Sequence, residues 1–72
     1  MTNEIRFVFE KGNPRIEELD WEGDVVNQMQ ADWGTIEGYY EVWESTGFKA
    51  NTIAELDELV MQDSVMIELV GD

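Results

Sequence analysis

A chain of 72 residues with 17 acidic and 4 basic side chains, and hence a formal net charge of -13, has room for one domain (residues 1–72) and a modest core. It contains neither cysteine nor histidine, which excludes a disulfide framework, a thiolate metal site and the commonest general base. Its charge sets it against direct binding to nucleic acid, and no apolar run approaches the ~20 residues that span a bilayer.

The chain is nonetheless built to fold. Hydrophobic residues make up 43% of it and three are tryptophan, more than a disordered polyanion carries. The N-terminus, MTNEIRF, lacks the basic start and apolar centre of a signal peptide. A cytoplasmic protein is expected, in the host cytoplasm if a phage encodes it.

Glu4 to Glu10 reads as a strand, with Ile5, Phe7 and Phe9 on one face and Arg6, Val8 and Glu10 on the other. Lys11-Gly12-Asn13-Pro14 ends it as a turn. Ile16 to Trp21 is either a short helical turn or an irregular second strand anchored by Leu19 and Trp21. Asp24 reads as the N-cap of a helix to about Trp33, because Val25, Val26, Met29 and Trp33 share one helical face and Gly34 stands where a C-cap would.

The stretch from Trp33 to Phe48, WGTIEGYYEVWESTGF, holds most of the aromatic residues together with Glu37, Glu41 and Glu44 and no basic residue. Alternation over Glu37 to Glu44, and the strand preference of Tyr, Val and Trp, predict a strand. On that reading Tyr40 and Val42 face the core, while Tyr39 and Trp43 share the other face with Glu41, either as further core or as an aromatic contact patch. Ser45-Thr46-Gly47 is then a turn.

Thr52-Ile53-Ala54-Glu55 is a capping box: the Thr52 hydroxyl accepts from the Glu55 amide and the Glu55 carboxylate reaches back to the Thr52 amide. The helix it opens runs to about Met61 and buries Ile53, Leu56, Leu59 and Val60. Asp63-Ser64 breaks it, and Val65 to Val70 makes a last strand with Val65, Ile67 and Leu69 inward. These elements predict an α+β fold: a small mixed or antiparallel sheet of three to four strands with two helices packed on one face.

No reactive constellation emerges, and neither an enzyme nor a cofactor is expected. Asp20, Glu22 and Asp24 alternate as a calcium loop begins, but Val25 stands where the loop needs glycine and Ala31 where it needs a bidentate glutamate. Ser45, Thr46 and Ser64 have no histidine partner, and Gly34, Gly38 and Gly47 make no phosphate-binding pattern.

Function therefore has to come from charge. Three of the four basic residues, Arg6, Lys11 and Arg15, lie near the N-terminus, and none lies between Ile16 and Phe48. A basic protein is the expected partner, with the chain a monomer or small homo-oligomer. In charge, length and ring content the chain resembles the small acidic proteins that phages use against restriction, CRISPR or repair enzymes. That resemblance implies an inhibitor imitating nucleic acid, which presents about one negative charge per 1.7 Å of duplex. The residues expected to meet the partner are Glu17, Glu18, Asp20, Glu22, Asp24, Glu37, Tyr39, Glu41, Trp43 and Glu44. Two further readings are an acidic assembly or adaptor module on a basic partner, and a surface adapted to high salt.

Overall fold

The computed structural model of the chain describes residues 2–46 and 49–71, with side chains of the last helix as far as residue 62. Three strands come first, β1 (Glu4–Val8), β2 (Arg15–Leu19) and β3 (Val25–Gln30). Two helices follow, α1 (Trp33–Ser45) and α2 (Ile53–Gly71). The strands form one antiparallel sheet in the order β1-β2-β3, so the fold is α+β.

Local chemistry explains both hairpins. Between β1 and β2 the Asn13 amide donates to the Glu10 carbonyl at 3.0 Å, and Gly12 takes φ 85°, open to glycine at little strain. Between β2 and β3 the Asp20 amide donates to the Asp24 carbonyl at 2.9 Å, enclosing Trp21, Glu22 and Gly23. Gly23 takes φ 87°, as a three-residue hairpin loop requires at its left-handed position. The Asp20 carboxylate accepts the amides of Glu22 and Asp24, each at 2.9 Å, and so holds the loop shut.

Register sets the faces. Ile5 lies opposite Glu18, Phe7 opposite Ile16, and Ile16 opposite Met29, so these side chains share the sheet face that the helices cover. Ile5 and Ile16 join Ile36 of α1 and Ile53 and Leu56 of α2 in one core, with Phe7, Met29, Tyr39 and Trp43 packed around it. Arg6, Arg15 and Glu17 lie on the opposite face. The register slips between Glu18 and Leu19 and leaves Val26 unpaired, a bulge near the hairpin loop.

The α2 N-terminus is capped twice. The Glu55 amide donates to the Thr52 hydroxyl at 3.1 Å, as the capping box predicts. The Glu55 carboxylate reaches one residue further back than expected, to the Asn51 amide at 3.3 Å and the Thr52 hydroxyl at 3.2 Å. The Ile53 amide donates to the Glu18 carboxylate of β2 at 2.9 Å. A second tie joins the helices: the Tyr39 hydroxyl donates to Asp57 at 2.6 Å, and this hydrogen bond, helped by burial, pushes the phenol up to about 12.

The segment 15–19 takes the strand reading offered for it. Several sequence expectations are corrected. The expected helix from Asp24 is β3, where β-branched Val25 and Val26 lead into a pleated pairing with β2. The expected strand from Glu37 to Glu44 lies within α1, which starts at the N-cap Asp32; Gly34 belongs to its first turn and caps nothing. Asp63-Ser64 does not break α2, and no strand forms over Val65 to Val70. Met, Glu and Leu in that run favour helix, and extending a helix is easier than nucleating a new element. The inward faces expected for Val65, Ile67 and Leu69, and Gly47 of the expected turn, lie outside the described residues.

Leu56 is fully buried, so Leu56→Ala is expected to cost about 2–5 kcal/mol, while Thr52→Ala loses one cap worth about 1 kcal/mol. Urea melts of the two variants check the order; equal losses would mean that α2 does not pack on the sheet through Leu56.

Candidate partner-binding site

Helical spacing sorts the side chains of α1 into stripes. Ile36, Tyr39 and Trp43 fall at i, i+3 and i+7 and turn inward, Ile36 fully buried and the two rings half-buried against the core. Trp33, Glu37, Tyr40 and Glu44 fall at i, i+4, i+7 and i+11, with Glu41 beside them, and this stripe is exposed. Trp33 keeps 45% of its surface and Tyr40 37%.

Phe9, just past the end of β1, meets the exposed stripe. Its ring centroid lies 5.3 Å from that of Trp33 and 5.8 Å from that of Tyr40. Phe7 continues the cluster inward, 5.1 Å from Tyr40 in a T-shaped contact and 5.2 Å from Trp43. An open groove of about 610 Å³ runs along these rings, lined by Phe9, Trp33 and Tyr40 and by Glu37, Glu41 and Glu44.

The charge of this groove is uncompensated. Arg6 donates to Glu17 at 2.8 Å, and Arg15 bonds Glu17 at 2.9 Å and Glu10 at 2.7 Å. Lys49 borders a separate cleft with Glu55 and Glu58. Among the described residues no basic side chain pairs with Glu37, Glu41 or Glu44. The helix itself gains nothing from them: its first turn has no acid and its last turn no base. Glu44 stands in the last turn, where the macrodipole disfavours a negative charge. Glu37 and Glu41 are like charges at i, i+4, which destabilise a helix by about 0.2–0.5 kcal/mol. The negative charge of Glu44, one turn on, raises the pKa of the Tyr40 phenol.

The expected site residues divide into three groups. Glu37, Glu41 and Glu44 come together on the groove. Asp20, Glu22 and Asp24 gather at the β2–β3 loop, around a Trp21 that keeps 66% of its surface. Their carboxylate oxygens lie within 4.8 Å of one another, a donor set for a hard cation, yet one oxygen of Asp20 already serves the loop amides. Glu17 and Glu18 form the third group and are buried. Glu17 is held by Arg6 and Arg15, and Glu18 accepts Ile53 and the Asn3 amide, the latter at 2.6 Å. The fold therefore uses both carboxylates internally.

The aromatic contacts also change hands. Of the two places open to Tyr39 and Trp43, both take the one toward the core, and Trp33, Tyr40 and Phe9 take the exposed places. The signal was present: Trp33, Tyr40 and Glu44 share a helical stripe, and Asp32 before Trp33 is a good N-cap. The Thr35 hydroxyl donates to the Asp32 carboxylate, and that bond lowers its pKa; the carboxylate makes no capping hydrogen bond to the α1 amides.

Glu17 yields a pH prediction. Its hydrogen bonds to Arg15 and then Arg6 hold its pKa below the usual 4.5. A lowered carboxylate pKa contributes stability that is present above the unfolded value and lost as pH falls through the folded one. Glu17→Gln is therefore expected to be less stable than the parent at pH 7. The gap should narrow as pH falls below about 4.5. Thermal melts of both proteins from pH 7 to pH 3 check it. The comparison matters because acid also relieves the general repulsion of a chain at -13, an effect common to both proteins.

No protein-family model matches the chain, and neither a curated protein nor a solved structure shows significant similarity to it.

Proposed function

We propose that this chain is a small acidic inhibitor that binds a basic protein by imitating nucleic acid, occupying the groove where a nucleic-acid-binding protein of an anti-phage defence or repair system would hold its substrate. The observation that carries this reading is the exposed face of α1. Glu37, Glu41 and Glu44 follow one another over about 10 Å of helix axis, with no counter-ion among the described residues. Helix stability does not explain their placement, since like-charge spacing and the macrodipole both oppose it. A local rule broken without local gain points to a use outside the helix. Row and rings together suit a Lys/Arg-lined groove: carboxylates stand in for phosphates, and exposed rings supply anchors near them.

Among the described residues no helix is long and apolar enough to cross a membrane. The adaptor reading shares the same face and differs in one respect: its partner is indifferent to nucleic acid.

Two double variants test the reading at equal net charge. Glu37→Lys with Glu41→Lys alters the groove. Glu4→Lys with Glu58→Lys alters exposed carboxylates on β1 and α2 outside it. Proteins captured from a bacterial lysate at low salt are expected to be released by duplex DNA, and to bind the groove variant at least roughly tenfold more weakly than the other. Capture that DNA leaves untouched would favour the adaptor, and equal losses from the two variants would leave only a diffuse acidic surface. Salt is expected to raise the melting temperature, by screening repulsion as the Debye length shortens from about 10 Å at 0.1 M to about 3 Å at 1 M, while weakening capture. A melting temperature that fell with salt while capture tightened would overturn the electrostatic account.

A further inference from the structure

The groove has a chemistry more specific than negative charge. Phosphate mimicry needs carboxylates alone, yet here three rings stand among them. Phe9, Trp33 and Tyr40 meet at centroid distances of 5.3 and 5.8 Å, tilted and nearly perpendicular to one another. Phe9, Trp33 and Tyr40 all line one opening, and Trp33 is 45% exposed. Glu37 and Glu41 stand on the same opening with no cation paired to them among the described residues.

Few ligands satisfy both kinds of wall. An apolar side chain would desolvate the carboxylates without replacing their water. A nucleobase would bring phosphates against three glutamates. A lysine ammonium satisfies the charge but is strongly hydrated and compact, so it gains less from ring faces. A guanidinium is planar, stacks on aromatic faces, is weakly hydrated and bonds carboxylates through a fork of N–H groups.

We propose that the groove between Phe9, Trp33 and Tyr40 is an arginine cage: it receives one arginine side chain projecting from a basic protein partner, with its plane against the rings and its N–H groups on Glu37 or Glu41. The proposal rests on the reading of α1 as the partner-binding face and adds what that face recognises. Arginine is also the residue that basic grooves use to grip phosphate bidentately, so the cage would take the same group away from nucleic acid.

The test uses the intact chain, labelled with nitrogen-15, and three short neutral-backbone peptides that differ only in carrying arginine, lysine or citrulline at the centre. Citrulline keeps the shape of arginine and removes its charge. The Trp33 indole N–H resonance is expected to move with the arginine peptide, to respond about fivefold more weakly to the lysine peptide, and to ignore the citrulline peptide. Trp21, at the hairpin loop, serves as an exposed internal control. Trp33→Leu and, separately, the pair Glu37→Gln with Glu41→Gln should each weaken the arginine peptide about fivefold, the value of one exposed cation–π or charged contact. Glu37 and Glu41 are exposed, so their double variant keeps the test valid even if Trp33→Leu disturbs the fold by circular dichroism. Equal responses to arginine and citrulline would overturn the cage. So would a shift at Trp21 in place of Trp33, or no loss when Glu37→Gln and Glu41→Gln are combined. Because the probe is a peptide, the outcome is separate from the nucleic-acid reading. A cage that binds arginine beside a lysate capture that DNA cannot release would remove the mimicry and keep the cage. Release by DNA with no response at Trp33 would do the reverse.

Discussion

The Glu18 carboxylate at the start of α2 is the contact on which the rest of the arrangement depends. It sits buried on the helix-facing side of the central strand, in a position that an apolar side chain would normally take. A buried carboxylate without partners carries a large desolvation penalty. Here the Ile53 amide and the Asn3 side chain meet it, and the positive end of the α2 dipole lies toward it. One bond thus joins residues 35 apart in sequence and fixes where α2 begins on the sheet. With Ile53 placed, Leu56 follows one turn on into the core. Tyr39 reaches Asp57 in turn, so α1 is aligned from α2. The aromatic stripe of α1 then comes to lie over Phe7 and Phe9. In a chain without cysteine, charged hydrogen bonds of this kind do the tying that small domains often leave to disulfides.

Two sets of carboxylates stand apart in this arrangement. Glu10, Glu17, Glu18, Glu55 and Asp57 each accept a hydrogen bond from elsewhere in the fold. They secure turns, strands and helix ends. Glu37 and Glu41 have no such engagement among the described contacts and stand in a row on one face of α1. The first set converts acidity into structure. The second makes a local field, which low-dielectric aromatic walls concentrate. Both arginines pair with the first set, and among the described residues no basic side chain pairs with the second.

That division also explains why the rings of the groove are not simply a spilled core. Phe7, Trp43 and Tyr39 already close the space between α1 and the sheet. Phe9, Trp33 and Tyr40 extend the same ring contacts outward past the rim of the core, beside the carboxylates rather than away from them. Phe9 and Tyr40 each keep under two-fifths of their surface, so these rings contribute to packing while also walling the carboxylate row.

The sequence by itself determined whatever depends on near neighbours. The capping box at Thr52 and Glu55 needs four consecutive residues, and β1 needs only the alternation of Ile5 and Phe7 before a Gly-containing turn; both were legible. The acidic excess, the lack of any base near Glu37, Glu41 and Glu44, and the α+β class were legible too. Tertiary structure decided what depends on distant partners. VVNQMQ and EGYYEVWE each fit either period over a short window, and strand-favouring rings gave EGYYEVWE the pattern of a strand. Their roles were settled when β2 offered an edge to Val25–Gln30 and the sheet offered a face to Ile36, Tyr39 and Trp43. Glu17 and Glu18 are alike in the sequence, adjacent and acidic. Only the pleat sends one to Arg6 and Arg15 and the other to the amide of Ile53, because successive side chains of a strand leave on opposite faces.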